Sequence, residues 1–167
     1  GLWTYWYENG QKAEEATYKD GQPVTALVWK PNGEKCPVTN LKDEDGVVVT
    51  YYENGQKESE SNYKNGKPDG LFTYWDEDGQ KEIESNFKDG KEQGLETVWY
   101  ENGQKKWEVN MKDGKKHGLS THWHPNGQKS LEENMRDGKP DGPAIFYNDD
   151  GTEVFRSTYK DGEPVED

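Results

Sequence analysis

The chain has 167 residues, of which 34 are acidic and 21 are basic, giving a formal net charge of −13. Only 28% of the residues are apolar, too few for one thick globular core, yet seven Trp and ten Tyr are more than a disordered chain carries. No apolar run reaches the ~18–20 residues of a membrane span, and the acidic charge argues against nucleic acid as a partner.

A repeat of about 24 residues begins at the first residues and continues to the end. Its first marker is a turn glycine after a polar residue, at Gly10, Gly33, Gly55, Gly79, Gly103, Gly127 and Gly151. A second glycine follows eleven residues later in most repeats, at Gly21, Gly66, Gly90, Gly114, Gly138 and Gly162. We therefore predict one repeat domain, 1–167, with repeats at approximately 1–23, 24–45, 46–69, 70–93, 94–117, 118–141 and 142–167. Because Gly1-Leu2-Trp3 falls inside a repeat, we expect the natural N-terminus to lie further upstream.

Each repeat has the pattern of strand, turn, strand and turn. Stretches rich in Trp, Tyr, Thr and Val lead into Asn-Gly and Asp-Gly, which are hairpin signals, and no window has helical spacing. The sequence thus predicts an all-β fold, an elongated single-layer antiparallel meander of seven β-hairpin repeats with essentially no helix. Repeat two lacks the second glycine and has Pro37 beside Cys36, so we expect it to be irregular. Cys36 is the sole cysteine, which excludes an internal disulfide.

The turn type determines which side chains share a face. A type I turn with a glycine bulge would pair Tyr100 with Gln104 and would require a positive φ at Gly103 but not at Asn102. This turn predicts that Trp99, Trp107 and Met111 lie together. We interpret their face, and its equivalents in other repeats, as the core.

The run Tyr52-Glu53-Asn54-Gly55-Gln56-Lys57, followed by Asn62-Tyr63-Lys64-Asn65-Gly66-Lys67-Pro68-Asp69-Gly70, resembles the bacterial variant of the MORN repeat. The resemblance extends over the whole chain. It implies the label of YwqK-type antitoxin that such bacterial proteins commonly carry. MORN proteins of eukaryotes are linked to membrane association, scaffolding and dimer formation, but the acidic charge argues against binding to anionic lipid.

Three histidines cluster in repeat six and the junction just before it, and they are candidate metal ligands: His117, His122 and His124. Their spacing has no known ligand signature, so we favour solvated surface histidines over a metal site. We predict no cofactor.

A candidate partner-binding face combines tyrosines with a column of glutamates, predicted to lie opposite the core: Tyr5, Tyr7, Tyr52, Tyr74, Tyr100, Glu60, Glu84 and Glu108. The alternative for the glutamates is a ladder of hydrogen bonds, either to the backbone at the junctions between repeats or to neighbouring lysines, and we favour this alternative.

The sequence contains no nucleotide loop and no catalytic set, so we predict a protein that is not an enzyme. The first functional hypothesis is a protein-interaction module, including antitoxin-like capture of a basic partner. The second is a scaffold or surface protein that self-associates through its apolar face or its end strands.

Overall fold

A computed structural model describes residues 1–165, and it is all-β, as predicted. No helix long and apolar enough to cross a membrane occurs in this range. The strands are β1 (Leu2–Trp6), β2 (Lys12–Lys19), β3 (Gln22–Val28), β4 (Gly46–Tyr51), β5 (Lys57–Lys64), β6 (Lys67–Pro68), β7 (Gly70–Trp75), β8 (Lys81–Lys88), β9 (Lys91–Glu92), β10 (Gly94–Trp99), β11 (Lys105–Lys112), β12 (Lys115–Trp123), β13 (Lys129–Arg136), β14 (Lys139–Tyr147), β15 (Glu153–Lys160) and β16 (Glu163–Pro164). The last two residues of predicted repeat seven lie outside the described range.

The chain divides into two units, an N-terminal unit ending at Lys91 and a C-terminal unit starting at Glu92. In the N-terminal unit, β1, β2 and β3 form a three-stranded antiparallel sheet, while β4, β5, β7 and β8 pair in that order. In the C-terminal unit, the strands from β10 to β16 pair antiparallel in sequence order. Each unit is therefore a meander of hairpins, as the turn signals predicted.

Repeat two is irregular, which confirms the prediction from Pro37. No strand of four or more residues forms between β3 and β4, and this segment instead hydrogen-bonds to both neighbours. The amide of Ala26 in β3 donates to the carbonyl of Leu41 at 3.2 Å, and the amide of Val49 in β4 donates to the Thr39 hydroxyl at 2.9 Å. The segment thus joins the three-stranded sheet to β4, with Cys36 buried between them.

The Asn-Gly turn has the predicted type. The amide of Tyr100 donates to the carbonyl of Gln104 at 2.8 Å, and the amide of Gly103 donates to the carbonyl of Tyr100 at 2.9 Å. The φ of Gly103 is +78°, whereas Asn102 is not among the residues with a positive φ. These contacts define a type I turn closed by a glycine bulge.

A second bulge overturns the predicted arrangement of faces. Trp99 lies opposite Lys105, but Val98 lies opposite Trp107, so Lys106 is an extra residue in β11. The same shift recurs beside Trp6, Tyr51, Trp75, Trp123 and Tyr147. Since one extra residue exchanges the faces, Trp107 and Met111 lie on the face of Val98 and Val109, not on the face of Trp99.

The buried apolar residues lie mainly on this second face, hereafter the Val109 face (Val98, Trp107, Val109, Met111 and their equivalents). In the C-terminal unit, Val109 is fully buried and packs against Met111 and Met135. The opposite side, hereafter the Trp99 face (Leu95, Thr97, Trp99 and their equivalents), is more open. Leu95 is 43% exposed and Trp99 is half-buried. Our interpretation of the Trp99 face as the core was therefore wrong.

Candidate functional site

The structure does not bring the predicted partner-binding residues together on one face. Residues paired across neighbouring strands lie on the same face. Glu60 and Glu84 both pair with Thr73, the equivalent of Thr97, and therefore lie on the Trp99 face. Glu108 pairs with Thr97 itself and lies on the same face. Tyr5 and Tyr74 pair with Glu14 and Ile83 on the Val109 face. Because the second bulge exchanges the faces, the glutamates lie on the Trp99 face of their hairpins, whereas Tyr5 and Tyr74 lie on the Val109 face of theirs.

The glutamate column forms the predicted ladder to lysines. Lys57 binds Glu60 at 2.8 Å (Nζ to Oε2), and its ammonium lies 4.9 Å from the ring centre of Trp75 in the next repeat. Lys12 is held in the same way between Glu15 at 2.7 Å and the ring of Trp29 at 5.0 Å. Lys81–Glu84, Lys105–Glu108 and Lys129–Glu132 are equivalent ion pairs. Each lysine ammonium thus sits beside one carboxylate, and in several repeats it also lies over an aromatic ring.

Three of the predicted binding tyrosines instead connect successive repeats. Their hydroxyls donate to main-chain carbonyls one repeat further along: Tyr7 to Trp29 at 2.8 Å, Tyr52 to Trp75 at 2.7 Å and Tyr100 to Trp123 at 2.8 Å. In repeat six His124 occupies this position, and its Nε2 is 3.0 Å from the carbonyl oxygen of Tyr147. Tyr7 is only 8% exposed, so this column is mainly structural.

The turns add two more connections between repeats. At the Asn-Gly edge, the side-chain amide of Asn102 donates to the carbonyl of Pro125 at 2.6 Å, and Asn126 does the same to Asp149 at 2.6 Å. At the Asp-Gly edge, the amide of Gly138 donates back to the carbonyl of Lys116 at 2.9 Å. Both edges of the C-terminal unit are therefore joined at every period.

The three histidines have separate environments. The His122 ring stacks on Trp107 with 6.4 Å between ring centres, and its Nε2 lies 3.9 Å from a Glu133 oxygen. Burial, with a smaller contribution from the charge of Lys116, lowers the pKa of His122. His117 lies 3.9 Å from Asp137 (Nδ1 to Oδ1). Within residues 1–165 no three His, Cys, Asp or Glu side chains are grouped so that they could hold a metal ion.

The N-terminal unit contains a cavity of about 220 Å³ that combines aromatic and acidic side chains. It lies where the three-stranded sheet meets β4 and β5, and it is lined by Tyr5, Tyr7, Ala13, Glu14, Val28, Thr50, Tyr51 and Glu58. Burial, and then the charge of Glu58, raises the pKa of Glu14. Burial raises the pKa of Tyr7 to about 12, with Glu53 and Glu58 adding to the effect. The cavity therefore combines partial burial with two neighbouring carboxylates, Glu14 and Glu58.

A family model described as the MORN repeat variant matches residues 1–20, 44–65, 68–89, 92–113 and 116–137, more than half of the chain. The chain belongs to the MORN repeat variant family. No curated protein matches the chain. MORN repeats are generally protein- or membrane-interaction modules and are typically non-enzymatic. The matches leave out 21–43, which contains the irregular segment that joins β3 to β4, and 138–167.

Glu14 in β2 pairs with Tyr5 in β1. The residues paired in the same way in repeats four to seven are apolar: Ile83, Trp107, Leu131 and Phe155, opposite Tyr74, Val98, His122 and Phe146. In repeat three the equivalent residue is Ser59, opposite Thr50. Our sequence reasoning missed Glu14, although a comparison of the repeats would have shown a carboxylate where repeats four to seven have an apolar side chain.

Proposed function

We propose that this MORN-repeat protein is a non-enzymatic interaction module that captures a basic protein, as an antitoxin-like protein would mask a basic toxin. The observation that carries the proposal is the surplus of acidic groups left exposed after the internal ion pairs have formed. The family supports the general part of the proposal, because its repeats are interaction modules and typically have no catalytic activity.

Many of the chain's cations are engaged within the protein. The lysines of the glutamate ladder bind their own carboxylates, and Arg136 and Lys160 both lie beside Asp141. By contrast, the Asn-Gly edge of the N-terminal unit displays exposed carboxylates at Glu8, Glu53 and Glu77. A net charge of −13 distributed in this way favours rapid association with a basic protein. It argues against nucleic acid and anionic membranes as partners.

An affinity pull-down from the source cells at low and high salt, read by mass spectrometry, would test the proposal. The recovered protein would then be purified and titrated against this chain at both salt concentrations. We expect one stoichiometric basic partner, bound at least about tenfold more weakly at high salt because screening weakens charge attraction. A partner bound equally at both salt concentrations would contradict charge capture, as would recovery of the chain alone.

The second candidate function is self-assembly as a scaffold or surface protein, and exposed leucines on the Trp99 face of the C-terminal unit favour it. Leu95 is 43% exposed and Leu119 is 48% exposed, and both lie on this face. Exposed apolar side chains on one face of a sheet can be buried against a second chain. Sedimentation at increasing concentration would then show a growing mass that Leu95→Lys abolishes. A constant monomer mass for the unmodified chain would exclude this candidate.

A further inference from the structure

We propose that the cavity lined by Tyr5, Tyr7, Glu14, Tyr51 and Glu58 binds a primary alkylammonium group, the end of a lysine side chain from a partner protein. The cavity volume of about 220 Å³ is below the ~300–1,000 Å³ typical of drug-sized ligand sites, which suits one inserted side chain. Its walls are aromatic rings and carboxylates, and both attract an ammonium ion.

The protein binds its own ammonium groups with the same pair of side chains. Lys12 lies between the Glu15 carboxylate and the Trp29 ring, and Lys57 lies between the Glu60 carboxylate and the Trp75 ring. The cavity presents carboxylates and tyrosine rings in a comparable combination. The cavity therefore offers an ammonium group the same two interactions, a carboxylate and an aromatic ring, that hold the protein's own lysines on the Trp99 face.

No lysine, arginine or histidine of residues 1–165 lines the cavity, although the Lys30 ammonium lies 5.9 Å from the ring centre of Tyr51, one of its walls. Neither Glu14 nor Glu58 forms an ion pair with a lysine, arginine or histidine in that range. The nearest basic residue along β2, Lys12, is bound to Glu15. The two carboxylates therefore lack the cation that the glutamates of the ladder have.

The partly buried carboxylate of Glu14 has no ion-pair partner among residues 1–165, which is costly for the fold because a charge removed from water without a partner loses part of its solvation. The equivalent positions in repeats four to seven avoid this cost with apolar side chains, from Ile83 to Phe155. An external cation would restore the missing attraction and would gain the contact of the Tyr5 ring. This difference between repeats points to binding rather than to packing as the role of Glu14.

That the ammonium group comes from a partner protein rests on the proposed function, but binding at the site itself can be tested without any protein partner. The probe is Nα-acetyl-lysinamide, titrated by calorimetry or NMR, with Nα-acetyl-norleucinamide as the uncharged analogue. We expect binding of the lysine derivative alone. Glu14→Gln and Glu58→Gln should each weaken it by about tenfold, the loss expected for one charge-assisted contact.

Glu82→Gln is the matched control because Glu82 is the bulge residue of repeat four, equivalent to Glu58, and is exposed. It changes the net charge by the same amount and should leave binding unchanged. Tyr5→Ala gives an independent check at an exposed wall residue and should also weaken binding. Thermal unfolding of each variant verifies that it is folded.

Failure of lysinamide to bind, or equal binding by wild type and by both cavity variants, would overturn the proposed site. The two proposals fail in different ways. If a basic partner is captured equally by Glu14→Gln, Glu58→Gln and wild type, the capture function stands and the cavity is not its lysine site. If lysinamide binds as expected but no basic protein is captured, the cavity stands as an amine site and the capture function fails.

Discussion

The hydroxyl of Tyr100 donates a hydrogen bond to the main-chain carbonyl of Trp123, 2.8 Å away and one repeat further along the chain. Tyr52 makes the same bond to Trp75. These tyrosines look like surface aromatic residues in the sequence, but in the structure they connect successive hairpins. This role is compatible with an interaction module, because a regular spacing of repeats keeps their exposed groups in register.

Removal of this hydroxyl should destabilise the protein without changing its fold. We expect Tyr100→Phe to lower the free energy of unfolding by about 0.5–1.5 kcal/mol, the usual net contribution of one hydrogen bond. Urea unfolding measures the change. The matched control is Tyr74→Phe, since Tyr74 is 40% exposed and has no hydrogen-bond partner for its hydroxyl among residues 1–165. A loss as large in the control would show that the ring environment, and not the bond, is responsible.

The histidine of repeat six should be replaceable by the tyrosine that other repeats use. His124 Nε2 lies 3.0 Å from the Tyr147 carbonyl oxygen. When this nitrogen carries the ring hydrogen, it can donate to the carbonyl as the tyrosine hydroxyl does in other repeats. We expect His124→Tyr to keep the unfolding free energy within about 0.5 kcal/mol, and His124→Phe to lose about 1 kcal/mol. Chemical denaturation of both variants distinguishes them. Equal stability of the two would argue against a structural hydrogen bond at this position.

Glu14 should make the protein less stable as pH rises. Burial and the charge of Glu58 raise the pKa of Glu14, so the folded state binds its proton more tightly than the unfolded chain. The stability contribution is therefore present below the ordinary value of 4.5 and is lost as pH rises through the higher folded pKa. Glu14→Gln should accordingly raise the melting temperature near pH 7 and have little effect near pH 4.

Thermal unfolding at the two pH values, with Glu82→Gln as control, measures this difference. An increase of about 2–4 °C near pH 7 corresponds to roughly 1 kcal/mol for a chain of this size. A lower melting temperature for Glu14→Gln at neutral pH would mean that the ionised carboxylate is stabilised by a partner. That result would remove the main physical reason for an external cation.

The bulge glycine should tolerate asparagine better than alanine. Gly55 has a φ of +85°, a left-handed conformation that costs an alanine about 1–2 kcal/mol. A Cβ added to Gly55 would have no atom within 4 Å, so backbone strain is the expected cause of destabilisation. We expect Gly55→Ala to lose about 1 kcal/mol and Gly55→Asn clearly less. Denaturant unfolding compares them, and equal losses would indicate a cause other than φ.

The hairpins and their Asn-Gly turns could be predicted because turn glycines have a local physical signature. The bulged turn at Gly103 follows from Asn-Gly together with the need for a positive φ. The second bulge has no such signature, since Lys106 can be an extra residue in β11 without a special backbone requirement. One missed residue was sufficient to exchange the faces of Trp107 and Glu108.

The cavity could not be predicted for a different reason. Glu14 and Glu58 belong to repeats one and three, and they meet because the irregular segment of repeat two brings the three-stranded sheet against β4. Pro37 predicts that this segment is irregular, but it does not predict how the segment folds. Distances between distant repeats depend on that fold, whereas the ladder of lysines and glutamates depends only on neighbours three residues apart.

The hydrogen bonds between repeats at both edges of the C-terminal unit determine which deletions and insertions the chain can accept. Tyr100 and Asn102 use main-chain carbonyls at Trp123 and Pro125, and the next period offers carbonyls at Tyr147 and Asp149 in the same places. Excision of 118–141 would therefore present each donor with an equivalent acceptor, while a cut that is not a whole number of periods would not. Insertions and deletions that preserve these bonds therefore add or remove whole repeats.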